Sequence, residues 1–181
     1  MIVKYKETEL LDEASLSETF QSVLERVREH LQEACFSDKP EPAWLPSHAI
    51  ELPVDGELNA HVDSVRFSGD IVSGLSLSSP SIMRLRDEDA KETDEYVDLF
   101  LPPRSLYVLS GPSRFQYTHE LLPSGAAFEG NPITRELRWS IIFRDAKGRF
   151  NRVDGILERE HEINAFTWNY RLIFVRIISA A

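Results

Sequence analysis

A chain of 181 residues is one domain's worth, and 42% hydrophobic with 28% charged residues supports a packed core. That mix excludes disordered, collagen-like and coiled-coil classes. Twenty Lys and Arg against 30 Asp and Glu leave a net charge of −10, which argues against a constitutive nucleic-acid coat but not against a local basic pocket.

The single cysteine, Cys35, rules out an internal disulfide framework and a zinc ribbon, and it suits a reducing compartment. No apolar run approaches the ~20 residues that span a bilayer, so no transmembrane span is expected. The opening MIVKYKETELLDEA has neither a signal-peptide core nor the Arg-rich character of a transit peptide.

Three zones follow in chain order: a helical support segment over 1–46, a strand-rich core over 47–146 and a divergent tail over 147–181. Residues 15–34 predict one helix, with Ser15 and Glu18 spaced as a capping box. Phe20, Val23, Leu24, Val27 and Leu31 form a single apolar stripe, and Glu25, Arg26, Arg28, Glu29 and Glu33 lie opposite. Such a helix covers a core, and Cys35 at its end is expected to pack there as a small residue.

The Pro-rich stretch 39–46 (KPEPAWLP) ends the helix. Short β-like runs follow at 48–52, 60–67, 71–77, 81–85, 96–101, 105–109 and 137–144, separated by Gly, Pro, Ser and Asp. Many short strands after one helix predict a mainly β sandwich or barrel with helical support. In the tail, a polar mixed stretch precedes WNYRLIFVRIISAA, which fits a terminal strand or an exposed apolar end.

Two weak spacings carry the chemistry. In His61-Val62-Asp63 an imidazole and a carboxylate stand two apart, on one face if the segment is a strand. His119 is the best third ligand, and two His with one carboxylate make the facial triad of non-haem Fe(II) oxygenases. The five His and eleven Asp would give ~0.3 such dipeptides by chance, so the motif alone is not specific. Arg138 and Arg144, six apart, also share a face of an expected strand, and a guanidinium fork suits the distal carboxylate of a 2-oxo diacid. Order strengthens both signals: His-x-Asp, then His, then Arg-x5-Arg.

Further segments extend that order: His61-Val62-Asp63-Ser64, Gly74-Leu75-Ser76-Leu77, Pro80-Ser81-Ile82-Met83-Arg84-Leu85, Arg104-Ser105-Leu106-Tyr107-Val108-Leu109, Gly111, His119-Glu120 and Arg138…Arg144. Together they resemble the AlkB-type Fe(II)/2-oxoglutarate-dependent dioxygenases, most closely a mitochondrial branch, over roughly 5–145. The resemblance implies a double-stranded β-helix (jelly roll) with a supporting N-terminal helix. It implies Fe(II) on His61, Asp63 and His119, 2-oxoglutarate held by Tyr107 and Arg138, and Arg144 beside the cosubstrate's metal end or the substrate.

With O2, such a site hydroxylates a C–H bond, or demethylates where the carbon is an N-methyl. The implied setting is mitochondrial, with a targeting segment outside this sequence and the cytoplasm as second choice; fatty-acid metabolism and programmed necrosis are the associated processes. Two departures stand out. The family's N-terminal lid is not recognisable, and the Asn-x-Tyr of several relatives is replaced within Ile50-Glu51-Leu52-Pro53-Val54. The expected substrate is a protein, an RNA or a small molecule. Tight duplex DNA binding is not expected, because Arg66, Arg84, Arg114 and Arg144 are few and interspersed with Asp70, Asp87, Glu88 and Asp89. The alternative is a catalytically impaired jelly-roll scaffold acting through protein contacts.

Overall fold

The computed structural model describes residues 5–89 and 95–147, together with the backbone of three strands between 166 and 179. Strand β1 (Lys6–Glu9) precedes α1 (Glu18–Cys35), and β2 (His48–Leu52), β3 (Leu58–His61), β4 (Ser68–Leu77), β5 (Ser81–Asp87), β6 (Val97–Leu101) and β7 (Ser105–Ser110) follow. After the short α2 (Pro112–Phe115) come β8 (Tyr117–Leu121), β9 (Ala127–Phe128), β10 (Asn131–Pro132) and β11 (Arg138–Ala146). Strands β12 (Phe166–Trp168), β13 (Arg171–Ile173) and β14 (Val175–Ser179) close the order.

Two antiparallel sheets carry the molecule, one ordered β1-β2-β11-β4-β7-β14 and the other β3-β8-β5-β6. Their facing sides bury Leu52, Tyr107 and Leu109 of the first against Met83, Leu85, Leu101, Tyr117 and Leu121 of the second. Because side chains alternate along a strand, the other side of the larger sheet presents Ile71, Leu75, Leu106, Val108, Ile141 and Phe143. Helix α1 covers that surface with Leu24, Val27 and Leu31, as the apolar stripe predicts, and Phe20, Val23 and Cys35 pack around them.

The helix cap differs from the expected one. Ser17 is the N-cap, its Oγ accepting the Phe20 N–H, whereas Ser15 donates to the Asp12 carbonyl within a preceding turn of 3-10 helix. The Pro-rich stretch ends the helix and lays Trp44 beside Asp145 before β2 begins. The N-terminal segment does more than support, since β1 pairs with β2 and forms the edge of the larger sheet.

One β-like run is corrected and one strand is added. The run 60–67 stops as a strand at His61, because the Asp63 and Ser64 carbonyls turn to Arg114. Tyr117–Leu121, absent from the expected runs, is a strand with Tyr117, His119 and Leu121 inward. In the tail, β14 pairs with β7, so its apolar end contributes a terminal strand. Of the polar stretch expected over 146–166, residues 148–165 lie outside the described residues.

Candidate active site

Strand pairing brings the metal-type ligands together. His61 is the last residue of β3 and stands directly opposite His119 of β8, with the two rings 4.3 Å apart. Asp63 reaches the same point from the turn beyond the strand, so the face-sharing expected of a His-x-Asp strand arises from a strand end and a turn instead. The donor atoms of His61, Asp63 and His119 all lie within 4.8 Å of one another. Bonds of ~2.0–2.2 Å to one ion separate two donors by at most ~4.4 Å, so small side-chain rotations close the set.

The ring nitrogens are already sorted. His61 Nδ1 lies 2.8 Å from the Asn59 carbonyl, which can only accept, so Nδ1 carries a proton, while Nε2 points inward, 3.4 Å from the accepting Asp63 Oδ1, where a metal ion would take the place of the proton that the two share. His119 is 6% exposed; burial, aided by the neighbouring His61, lowers it to about 4, and it is a neutral imidazole near pH 7. Burial pushes the Asp63 carboxyl up, yet the His61 hydrogen bond and the Arg144 guanidinium outweigh it and hold Asp63 well below the usual carboxylate range. His61 is raised by Asp63, against burial. Two imidazole nitrogens and one carboxylate suit Fe(II).

Arg144 and Arg114 brace this corner. Arg144 Nε donates to Asp63 Oδ2 at 3.0 Å, leaving Oδ1 toward His61. Arg114, 2% exposed, donates to the Asp63 and Ser64 carbonyls at 2.9 and 3.2 Å. The sequence offers Arg114 as one of four basic residues near the site; nothing in its local pattern marks a guanidinium that pins a turn 50 residues away.

At the other end of the inter-sheet space, Arg138 is 2% exposed on β11. It donates to Ser76 Oγ at 3.1 Å and Ser140 Oγ at 3.2 Å, while its Nη2 has no hydrogen-bond partner among the described residues. Burial lowers it to about 10, so it stays a cation at neutral pH. It opens on a cavity walled by Ile50, Leu52, Leu58, Leu121 and Ile142, with Tyr5, Tyr107 and Ser140 completing the lining. The Tyr107 ring lies across Gly74, its register partner, where an added Cβ would collide with it, so this position needs glycine. Burial raises the Tyr107 phenol, which stays protonated. A buried cation with an orphaned donor fits a carboxylate.

A charged anchor at one end and a cluster of two histidines and a carboxylate at the other define the oxygenase class, and the 2OG-Fe(II) oxygenase superfamily model matches residues 3–144. The chain belongs to that superfamily, whose cofactors are Fe(II), 2-oxoglutarate and O2. It is of AlkB type, as the motifs implied. It is similar to the alpha-ketoglutarate-dependent dioxygenase alkB homolog 7, mitochondrial, of Mus musculus, with 37% identity over 142 residues. The Bos taurus protein of the same name is 39% identical over 142 residues. Each alignment covers 77% of this chain and 59% of the relative, so the chain spans less than two thirds of their length.

A Pseudomonas putida prolyl-4-hydroxylase matches with a TM-score of 0.50 and 13% identity, over 79% of this chain and 68% of that one. At that identity the likeness is one of fold, and it marks the facing sheets as the expected double-stranded β-helix.

Proposed function

We propose that this chain is an Fe(II)- and 2-oxoglutarate-dependent dioxygenase that hydroxylates or demethylates a protein, an RNA or a small molecule. The observation that carries it is the pairing of the His61–Asp63–His119 cluster with Arg138, a buried cation whose Nη2 has no partner among the described residues. Bound iron, with 2-oxoglutarate and O2, supplies the oxidising power for a C–H bond, and succinate and CO2 are the coproducts.

The chain's own residues prepare that chemistry. His61, Asp63 and His119 hold the metal. Arg138 receives the distal carboxylate of 2-oxoglutarate, its fork oriented by Ser76 and Ser140, and the neutral Tyr107 hydroxyl sits in the same cavity as a further donor. Arg144 keeps Asp63 turned toward the histidines at the metal end. Apolar walls keep water from the Arg138 ion pair, where charge–charge attraction is strongest.

Duplex DNA is disfavoured because the arginines nearby are engaged internally. Arg114 holds carbonyls, Arg144 holds Asp63, and Arg84 pairs in two bonds of 2.7 Å with Asp98. The names of the relatives place them in mitochondria, and we extend that location to this chain.

Anaerobic Fe(II) titration with and without 2-oxoglutarate tests the reading. The expected result is a weak visible charge-transfer band that needs both, followed by succinate formation on admitting O2. Metal uptake with no such band and no succinate would leave the scaffold alternative.

A further inference from the structure

One wall of the cosubstrate cavity comes from outside the strands that carry the motifs. Strand β1 pairs with β2 from Lys6↔Glu51 to Glu9↔His48, so Tyr5 falls one step further on, beside Leu52. Leu52 is in turn the register partner of Arg138. Tyr5 packs against the core between the sheets and lines the cavity that Arg138 enters. Its hydroxyl donates to Glu7 Oε2 at 3.1 Å, which holds the ring in place from the sheet edge. Arg138, Ser140, Tyr107 and Tyr5 are the polar-bearing residues of this lining; every other lining residue is aliphatic.

We propose that Tyr5 is a positioning residue for 2-oxoglutarate, closing the edge of the cavity at the distal-carboxylate end and keeping the Arg138–carboxylate pair dry. This rests on the dioxygenase reading above. A charge-assisted pair weakens as water enters and the local dielectric rises. Loss of the ring therefore weakens binding of the diacid without touching the metal cluster. It also leaves the 2-oxo acid end of the ligand alone, which gives a signature that general unfolding lacks.

The test is calorimetric titration of the Mn(II)-loaded full chain with 2-oxoglutarate and with 2-oxobutyrate, which lacks the distal carboxylate. Tyr5→Ala is expected to bind 2-oxoglutarate roughly tenfold more weakly, with Mn(II) and 2-oxobutyrate affinities unchanged, and Tyr5→Phe to restore most of the loss. Should Tyr5→Ala fail to fold, Tyr5→Leu keeps an apolar contact and carries the same test with a smaller loss. Unchanged 2-oxoglutarate affinity in a folded Ala or Leu variant overturns the proposal, as does an equal loss for both ligands. Arg138→Lys separates the two levels: if it too leaves 2-oxoglutarate binding unchanged, the dioxygenase reading fails, and if it alone weakens binding, only the role of Tyr5 fails.

Discussion

The two ends of the space between the sheets treat charge in opposite ways. At the metal end, Asp63 lies 3.4 Å from His61 Nε2 and 3.0 Å from Arg144 Nε, and its carbonyl takes a bond from Arg114. At the other end, the more deeply buried Arg138 touches two serine hydroxyls, and among the described residues no carboxylate is in ion-pair contact with it. Burying a charge without a counter-charge costs several kcal/mol, so such a group persists only where something else requires it. The metal end is electrostatically complete among the described residues, whereas the far end is a cation without a counter-charge among them, and the proposed function supplies that charge as the distal carboxylate of 2-oxoglutarate.

Breaking the complete end has the largest expected effect. Asp63→Ala removes a donor outright and leaves Arg144 without its partner, so Mn(II) affinity should fall by more than the ~10–100-fold that loss of a merely supporting group costs. An Ala variant that binds Mn(II) like the parent would remove Asp63 from the metal site. At the incomplete end, Arg138→Lys replaces a two-donor fork with a point charge. It should weaken 2-oxoglutarate by about ten- to a hundredfold, with Mn(II) affinity unchanged. Equal loss of both ligands would make Arg138 structural. Arg138→Met sharpens the contrast: binding is lost, yet chemical denaturation should show the protein more stable by about 1 kcal/mol or more, because the unpaired buried charge is gone.

That asymmetry marks what the sequence can and cannot disclose. Period-2 patterning and the apolar stripe on α1 are local, and they predicted the mainly β architecture and the helix that covers it. The ordered motifs named all three members of the His–Asp–His cluster, yet the physical route differs. Asp63 lies beyond the end of the strand that holds His61, and it joins the cluster through a turn pinned by Arg114. A guanidinium bonding carbonyls 50 residues away leaves no periodic trace, so the sequence marks Arg114 only as one of four basic residues near the site. Tyr5 escaped for the same reason: its place beside Leu52 depends on long-range pairing of a four-residue strand whose own residues, KETE, are all exposed and polar.

The pH response should also divide the two ends. In the metal-free protein His119 titrates at about 4 because it is buried, while in the unfolded chain it takes up a proton near ~6.5. The unfolded state therefore binds more protons between these values, and stability falls as pH drops from ~6.5 toward 4. His61 works the other way. Its raised folded value means the Asp63 pair stabilises fully below ~6.5 and is lost as pH rises through the folded value. The net acid-side loss should be on the order of 1–3 kcal/mol by urea unfolding at pH 7, 5.5 and 4.5, and His119→Leu should flatten it. A parent profile already flat over this range would mean His119 is not buried neutral. Arg138, a cation throughout, contributes nothing to the slope. A smaller effect is expected for Arg114→Lys, since one ammonium cannot hold both carbonyls. Mn(II) affinity should fall by about tenfold while 2-oxoglutarate affinity at fixed metal occupancy stays put, and unchanged metal affinity would show that the turn holds Asp63 unaided.

The smallest expected signal is in nucleic-acid binding, where a slope near zero is itself informative. A surface that neutralises ~6 phosphates shows a log–log salt slope near −5. Of the four arginines that the sequence offers for such a surface, Arg84 is paired with Asp98 and stacked 3.6 Å from the Tyr96 ring, Arg114 is buried on carbonyls, and Arg144 is held by Asp63. Arg66 is exposed, its guanidinium over the Phe67 ring. One such side chain on a chain of net charge −10 releases few counterions, so duplex DNA should bind weakly or undetectably, and single-stranded RNA at most with a shallow slope. Fluorescence anisotropy of labelled duplex and single-stranded probes across a salt series measures this directly. Tight duplex binding that collapses between low and moderate salt would require the paired arginines of the metal end to release their partners, and the complete end would then be a phosphate-binding surface as well.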